Sequence, residues 1–313
     1  MLRRWMRAAQ LVELAACLAV GAWLHARHGW GAGAVILGTA AWFAGVRLVL
    51  VCISSLLAWI FRTPRAPGER LGALATMRMV LGEWRAMLAV NLVQTPWENL
   101  LMRPDPVPAP TERVPVVLVH GYFANRGYFR TLVAHLEARG AGPVFVPSLS
   151  SWMASIEAGE AELHGHIERI AGGTGQPRVV LIGHSMGGLV ARAYLARRGP
   201  GRVARLVTVA SPNHGTALAR WGFGPSARQM RAGCAFLAAL EAAEAAAPTR
   251  VEAVSIYSPH DNMVAPQATS RLAWARNVAL PGLGHIAIAQ SQALVAALLP
   301  ELEAAGSLAR RRG

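Results

Sequence analysis

Three positions in this sequence carry residue types that activate one another. Ser185 stands in Gly183-His184-Ser185-Met186-Gly187, between an apolar run of strand length and a helical pattern through Ala191, Ala193, Tyr194 and Leu195. A serine at such a strand-to-helix turn is held in a strained backbone conformation, and Gly183 and Gly187 allow strand and helix to approach closely. The turn lifts the hydroxyl out of the sheet. The N-terminus of the helix then directs free N–H groups and a positive dipole end at whatever Ser185 attacks. Ser185 is the candidate nucleophile.

A neutral serine hydroxyl is a poor nucleophile, so it requires a base, and the base an orienting acid. The chain has only two aspartates, and Asp105 lies in a proline run ahead of the sheet. Asp261 follows an apolar run, 251–257, in a turn rich in proline; a simple turn former is the plainer explanation of an aspartate there, but its place in chain order suits the acid. Ten histidines compete for the base. His285, in Pro281-Gly282-Leu283-Gly284-His285, follows the last strand pattern and completes the order serine, acid, histidine. His184 would point away from the hydroxyl beside it, and His120 ties down the loop after the first strand. His214, in Ser211-Pro212-Asn213-His214-Gly215-Thr216, is the main competitor. Lying upstream of Asp261, it is expected to support the site rather than act in it.

Backbone donors complete the set. Gly121 lets the chain turn tightly after the run 114–119, so that the Tyr122 N–H points above the strand ends. With the Met186 N–H it forms an oxyanion hole that needs no particular side chain.

These residues require a scaffold that brings loops from distant parts of the chain to one edge. Apolar runs at 114–119, 144–146, 178–182, 203–209, 251–257 and 277–280 alternate with helical patterns. One of these begins at an Asn125 cap and runs to about residue 137, and another covers 286–299. The alternation predicts an α/β fold, a doubly wound and mainly parallel sheet with ligands at the strand carboxyl ends. It occupies 114–313.

The 313 residues exceed the needs of such a unit. The surplus is apolar: 53% of the chain is hydrophobic, and the excess lies in the first sixty residues. Residues 1–68 read as a membrane anchor, with apolar runs at 8–24 and 31–61 broken only by Glu13 and Arg47. The second run exceeds the roughly 30 Å hydrocarbon core, so it tilts or breaks near Arg47. Two crossings leave Arg3, Arg4 and Arg7 on the side of Arg62, Arg65 and Arg70, which places the remainder in the cytoplasm. A single span with an interfacial first helix is the alternative and leaves the side open. Residues 69–102 form an amphipathic helix beside the membrane and are assigned no chemistry. Residues 103–113 are a proline-rich linker.

The formal charge of +14 comes from arginine alone, for there is no lysine. The arginines are scattered without aromatic interleaving or a binding module, which excludes nucleic acid and favours an anionic membrane surface. Cys17, Cys52 and Cys234 give neither a disulfide framework nor a metal spacing.

His120-Gly121-Tyr122, the turn at Ser185, Ser211–Thr216, Asp261 and Gly284-His285 together resemble the bacterial triacylglycerol lipases and esterases of the α/β-hydrolase superfamily, over about residues 114–300. The resemblance implies the α/β-hydrolase fold and hydrolysis of lipid or other acyl esters through an acyl-enzyme. Ser185 would be nucleophile, His285 base and acid, and Asp261 orienter, with a lid over 217–247. No match to the calcium site of some such lipases is found, so no metal or cofactor is expected. A bacterial inner-membrane location follows. An acyltransferase or thioesterase would use the same triad, and a non-catalytic membrane adaptor would keep the fold without it.

Overall fold

The computed structural model describes residues 1–65, 67–149, 154–248 and 251–308. Two long helices, α1 (Leu2–His28) and α2 (Ala32–Ile60), form an antiparallel hairpin. Each is long and apolar enough to cross a membrane, with mean hydropathy of 1.4 and 2.1. α2 runs unbroken through Arg47, because the charge is met across the hairpin. Both terminal guanidinium nitrogens, Nη1 and Nη2, reach the Glu13 carboxylate, at 2.5 and 2.8 Å. Gly21 lets the helices close, since a Cβ there would run into Val35.

Helix α3 (Ala73–Leu88) packs along α2, with the Trp84 Nε1–H donating to the Ala44 carbonyl at 2.8 Å. A π turn (Ala89–Gln94) and the short α4 (Glu98–Leu101) follow. The N-terminal end of α1 docks on this segment, where Arg3 pairs with Glu98 and Arg7 lies over the Trp97 ring. The proline-rich stretch then runs along the sheet unit instead of standing clear of it. Asp105 accepts from Arg126 and from the Val146 N–H, and the Thr111 N–H donates to the Thr174 carbonyl.

Six parallel strands follow: β1 (Val116–Val119), β2 (Val144–Phe145), β3 (Val179–His184), β4 (Val203–Val209), β5 (Glu252–Tyr257) and β6 (Arg276–Ala279), in the order β2-β1-β3-β4-β5-β6. β1 and β3 are buried along their whole length, as strands covered on both faces must be. Alternate residues divide between two cores. Val116, Leu118, Val180 and Ile182 face α5 (Arg130–Ala138), while Val117, Val119, Val179 and Leu181 face α6 (Ile156–Thr174) and α7 (Met186–Arg198).

The segment after β4 holds α8 (Gly224–Gln229) and α9 (Ala235–Ala246) within the predicted lid. The helix expected over 286–299 divides into a 3₁₀ turn (Ala287–Gln290) and α10 (Gln292–Ala304), which Ser291 caps by accepting from the Leu294 N–H. The chain leaves β1 toward β2 on one side and returns to β3 on the other. The crevice for a ligand therefore opens at the carboxyl ends of β1 and β3.

Candidate active site

Ser185 follows β3 with φ of 56°, a positive φ rare for a residue with a Cβ. Close packing enforces it. A Cβ on Gly183 would come within 2.5 Å of the Gly187 carbonyl carbon, and one on Gly187 within 2.8 Å of the His120 carbonyl oxygen. Strand and helix thus meet backbone to backbone, and the serine is levered upward.

The hydroxyl meets its partners in sequence. Ser185 Oγ lies 3.1 Å from His285 Nε2, and His285 Nδ1 lies 2.9 Å from Asp261 Oδ2. Asp261 is buried, and its Oδ1 also accepts from the Met263 and Val264 N–H groups at 2.7 and 2.8 Å. The aspartate side chain is therefore fixed by donors besides the imidazole. Three residues from three loops, 76 and 24 residues apart, form one hydrogen-bonded line.

The loop after β1 passes directly against the serine, since a Cβ on Gly121 would stand 2.8 Å from Ser185 Cβ. His120 fixes that loop. Its Nε2 accepts from the Leu149 N–H at 3.2 Å, so its proton sits on Nδ1 and donates to the Gly121 carbonyl at 3.1 Å. Burial holds His120 below its ordinary pKa, as this neutral role requires. Met186 opens α7, where the first N–H groups have no partner within the helix.

Residues 114–226 match the family described as alpha/beta hydrolase fold. The triacylglycerol lipase of Pseudomonas fragi is 38% identical over 112 residues, covering 34% of this chain and 37% of that one. That of Vibrio cholerae is 37% identical over 112 residues, covering 34% and 35%. The alignments thus span little more than a third of these relatives. The crystal structure of a mature Bacillus licheniformis lipase superposes with a TM-score of 0.56 at 18% identity, covering 63% of this chain and 96% of the other. The sheet unit thus has the α/β-hydrolase fold.

Two histidines lie off the line from Ser185 to Asp261 in this hydrolase fold. His184 turns from Ser185 and places Nε2 3.0 Å from the Tyr128 hydroxyl and 3.1 Å from the His285 carbonyl. Burial above all, and then the His285 charge, drive its pKa well down, so it packs as a neutral ring. His214 is exposed and pairs with Glu241 of α9 at 2.6 Å, so it ties the turn just after β4 to α9. Burial opposes a proton on His285, but the Asp261 charge and hydrogen bond, reinforced by Glu83, outweigh it, and the net shift is upward.

Three polar contributors escape the sequence patterns. Asn262 Oδ1 accepts the His285 N–H at 2.9 Å, and the Tyr128 hydroxyl anchors His184. Glu83, on the helix to which no chemistry was assigned, accepts the Ile286 and Ala287 N–H groups. The available signal was its isolation, as the one acidic residue in α3. Among the described residues no group of three or more histidine, cysteine, aspartate or glutamate side chains is placed to hold a metal ion.

The segment over 217–247 follows β4 and reaches the loop after β1. Tyr122 makes that link, its hydroxyl donating to the Phe223 carbonyl and accepting the Phe223 N–H, at 2.9 and 3.0 Å. Trp221 and Phe223 are 53% and 72% exposed. The Trp221 ring meets Phe61, at the end of α2, with centroids 6.3 Å apart.

Proposed function

We propose that this chain is a membrane-anchored serine hydrolase of carboxylic esters, acting through an acyl-enzyme on lipid or other acyl esters. The observation that carries the proposal is the line from Ser185 Oγ through the His285 imidazole to the buried Asp261 carboxylate. In the first half-reaction His285 Nε2 takes the serine proton as Oγ bonds to the ester carbonyl carbon. The carbonyl oxygen becomes an oxyanion facing the Met186 and Tyr122 N–H groups, each donor being worth about 3 kcal/mol in such sites. His285 returns the proton to the leaving alcohol, and the carbon–oxygen bond breaks. Water, activated by the same imidazole, then releases the acid and frees Ser185.

A lipid substrate is supported by the helical hairpin and by the aromatic rings of the segment over 217–247, which continue the apolar surface of α2. Both ends of the hairpin lie beside the sheet unit, as two crossings require. The arginines at those ends favour the cytoplasmic face of a bacterial inner membrane.

A fluorophosphonate probe applied to the full chain in micelles tests the proposal. Labelling of wild type and none of Ser185→Ala supports it, together with loss of acid release from p-nitrophenyl esters and phospholipid vesicles. An unlabelled wild type, or equal labelling of Ser185→Ala, rejects it. A new ester formed when an alcohol is supplied would mark a transferase.

A further inference from the structure

The serine, histidine and aspartate chemistry calls for one carboxylate, yet a second is buried beside it. Glu83 is 1% exposed, and both its oxygens are aimed at the chain that follows the candidate base. The Ile286 N–H donates to Oε1 and Oε2 at 3.0 and 3.1 Å, and the Ala287 N–H donates to Oε2 at 2.8 Å. From the opposite side Asn262 Oδ1 takes the His285 N–H. Three consecutive amides, from 285 to 287, are therefore each held by a side chain from another element. Gly284 completes the fit, for a Cβ there would come within 2.5 Å of Glu83 Cδ. The helix that supplies Glu83 is itself pinned to α2 through Trp84.

We infer that Glu83 is a positioning residue for His285, contributed by a helix outside the sheet unit, which fixes the backbone from which the imidazole hangs. This inference rests on the hydrolase reading and deepens it. An imidazole that must receive a proton from Ser185 at one nitrogen while bonded to Asp261 at the other tolerates little rotation. A loop with free amides would allow that rotation, whereas three amides bound at fixed points would not.

The groups facing the imidazole come from four elements. They are Asp261 from the loop after β5, Glu83 from α3, His184 from the end of β3 with its ring centroid 4.8 Å away, and Tyr128 behind His184. His184 is held neutral, so the carboxylates set the field at His285. Burial pushes the Glu83 carboxyl up, the Ile286 and Ala287 amides and the His285 charge draw it back, and Asp261 adds a smaller upward push. Removing the Glu83 carboxylate thus relaxes both the position of His285 and one source of its affinity for a proton.

The experiment uses the full chain in micelles with a soluble short-chain p-nitrophenyl ester, following kcat, KM and the pH profile. Glu83→Ala is expected to lower kcat by about 10- to 100-fold with KM little changed. Glu83→Gln keeps an oxygen acceptor but no charge, so it loses less kcat and moves the acid limb of kcat/KM to lower pH. Gly284→Ala, whose methyl displaces the carboxylate, should match Glu83→Ala, and in the Glu83→Ala background it should cost nothing more. If Glu83→Ala fails to fold, the Glu83→Gln profile decides. Wild-type kcat and an unmoved acid limb in Glu83→Gln, or fully additive losses in the double variant, overturn the inference while Ser185 still labels. An unlabelled Ser185 in wild type removes the hydrolase reading and this inference with it.

Discussion

The Asn262 side-chain amide donates to the Ser54 hydroxyl at 2.8 Å, and this one bond joins the second apolar helix to the loop that carries Asp261. Asn262 is the residue that also receives the His285 backbone N–H, so helix α2 stands two hydrogen bonds from the His285 backbone. Nearby, Thr63 exchanges bonds with Gln267 and Ala268, and Arg65 donates to the Pro259 carbonyl. The N-terminal region thus forms a wall of the candidate site. A fragment beginning at residue 111 lacks Ser54, Thr63, Arg65 and Glu83. It is expected to melt at lower temperature and to hydrolyse soluble esters more slowly than the full chain in detergent. The single change Ser54→Val leaves the Asn262 amide buried without its acceptor and should cost about 1–3 kcal/mol in thermal unfolding. An equally stable and active fragment would show that the wall is dispensable.

The pH dependence of hydrolysis follows from the upward shift of His285. The base must be neutral to take the Ser185 proton, so kcat/KM falls as pH drops through the His285 pKa, and the acid limb lies above the ordinary histidine value of 6.5. Stability runs the other way. Because the folded state favours the proton, this group contributes stability below the ordinary value, and the contribution fades as pH rises through the raised one. Asp261→Asn removes the chief source of the shift and should lower kcat by about 10⁴-fold, the loss known for the equivalent change in a serine protease. Stopped-time assays across pH, paired with thermal melts at each pH, check both signs.

Gly187 tests the turn. A methyl group there meets the backbone carbonyl groups of Val119, at the end of β1, and His120, just after it, which cannot yield as a flexible side chain does. Gly187→Ala should therefore destabilise the fold by at least about 1–3 kcal/mol and displace Ser185, lowering fluorophosphonate labelling in whatever fraction stays folded. Labelling at the wild-type rate in a protein of unchanged melting temperature would mean that strand and helix have more room than the structure gives them.

Local chemistry made the line of Ser185, His285 and Asp261 legible. The serine sits in a turn whose glycines are dictated by close packing, the aspartate had one rival in the whole chain, and chain order selected the histidine. The strands were legible for a similar reason, because fully buried β-branched runs declare themselves, although Pro115, lacking an N–H, delays β1 to Val116. Glu83 was not legible. On an amphipathic helix that also carries Arg78 and Arg85, a lone glutamate reads as part of a solvated face, and only the packing of α3 on the loop after β6 turns it inward. Asn262 is similar, because the residue after an aspartate in a turn looks like more turn until Ser54 and His285 arrive from far along the chain. Glu13 and Arg47 were each legible as costly charges in apolar runs, and the hairpin shows that each is the other's partner.

Phe223 offers a test of lipid against soluble substrates. Its ring is exposed, lies in the segment over 217–247, and is fixed at its backbone by the Tyr122 hydroxyl, so changing the side chain leaves those bonds in place. Placed near a bilayer, an exposed aromatic ring favours the interface, and a carboxylate opposes it. Phe223→Asp should therefore lower acid release from phospholipid vesicles by about tenfold or more, a little over 1.4 kcal/mol, while leaving the rate on a short soluble ester near wild type. Equal losses on both substrates would place Phe223 within the acyl pocket. No loss on either would remove this ring from substrate access.

The pair Glu13–Arg47 offers the sharpest test of the hairpin. Both residues interrupt apolar runs, and the structure joins them by two hydrogen bonds between α1 and α2. A buried ion pair is weak support for stability against apolar replacements of similar volume, but removing one member strands the other. Glu13→Leu or Arg47→Met alone should thus cost about 3–5 kcal/mol and reduce the amount of folded protein recovered from membranes. The double change Glu13→Leu with Arg47→Met removes both charges together, so it should restore most of what either single change loses. This non-additivity separates partnership from two independent surface roles. Thermal unfolding of the four proteins in the same detergent measures it. If the double variant falls by the sum of the single losses, the two charges are not held against each other and the packing of α1 on α2 must have another source.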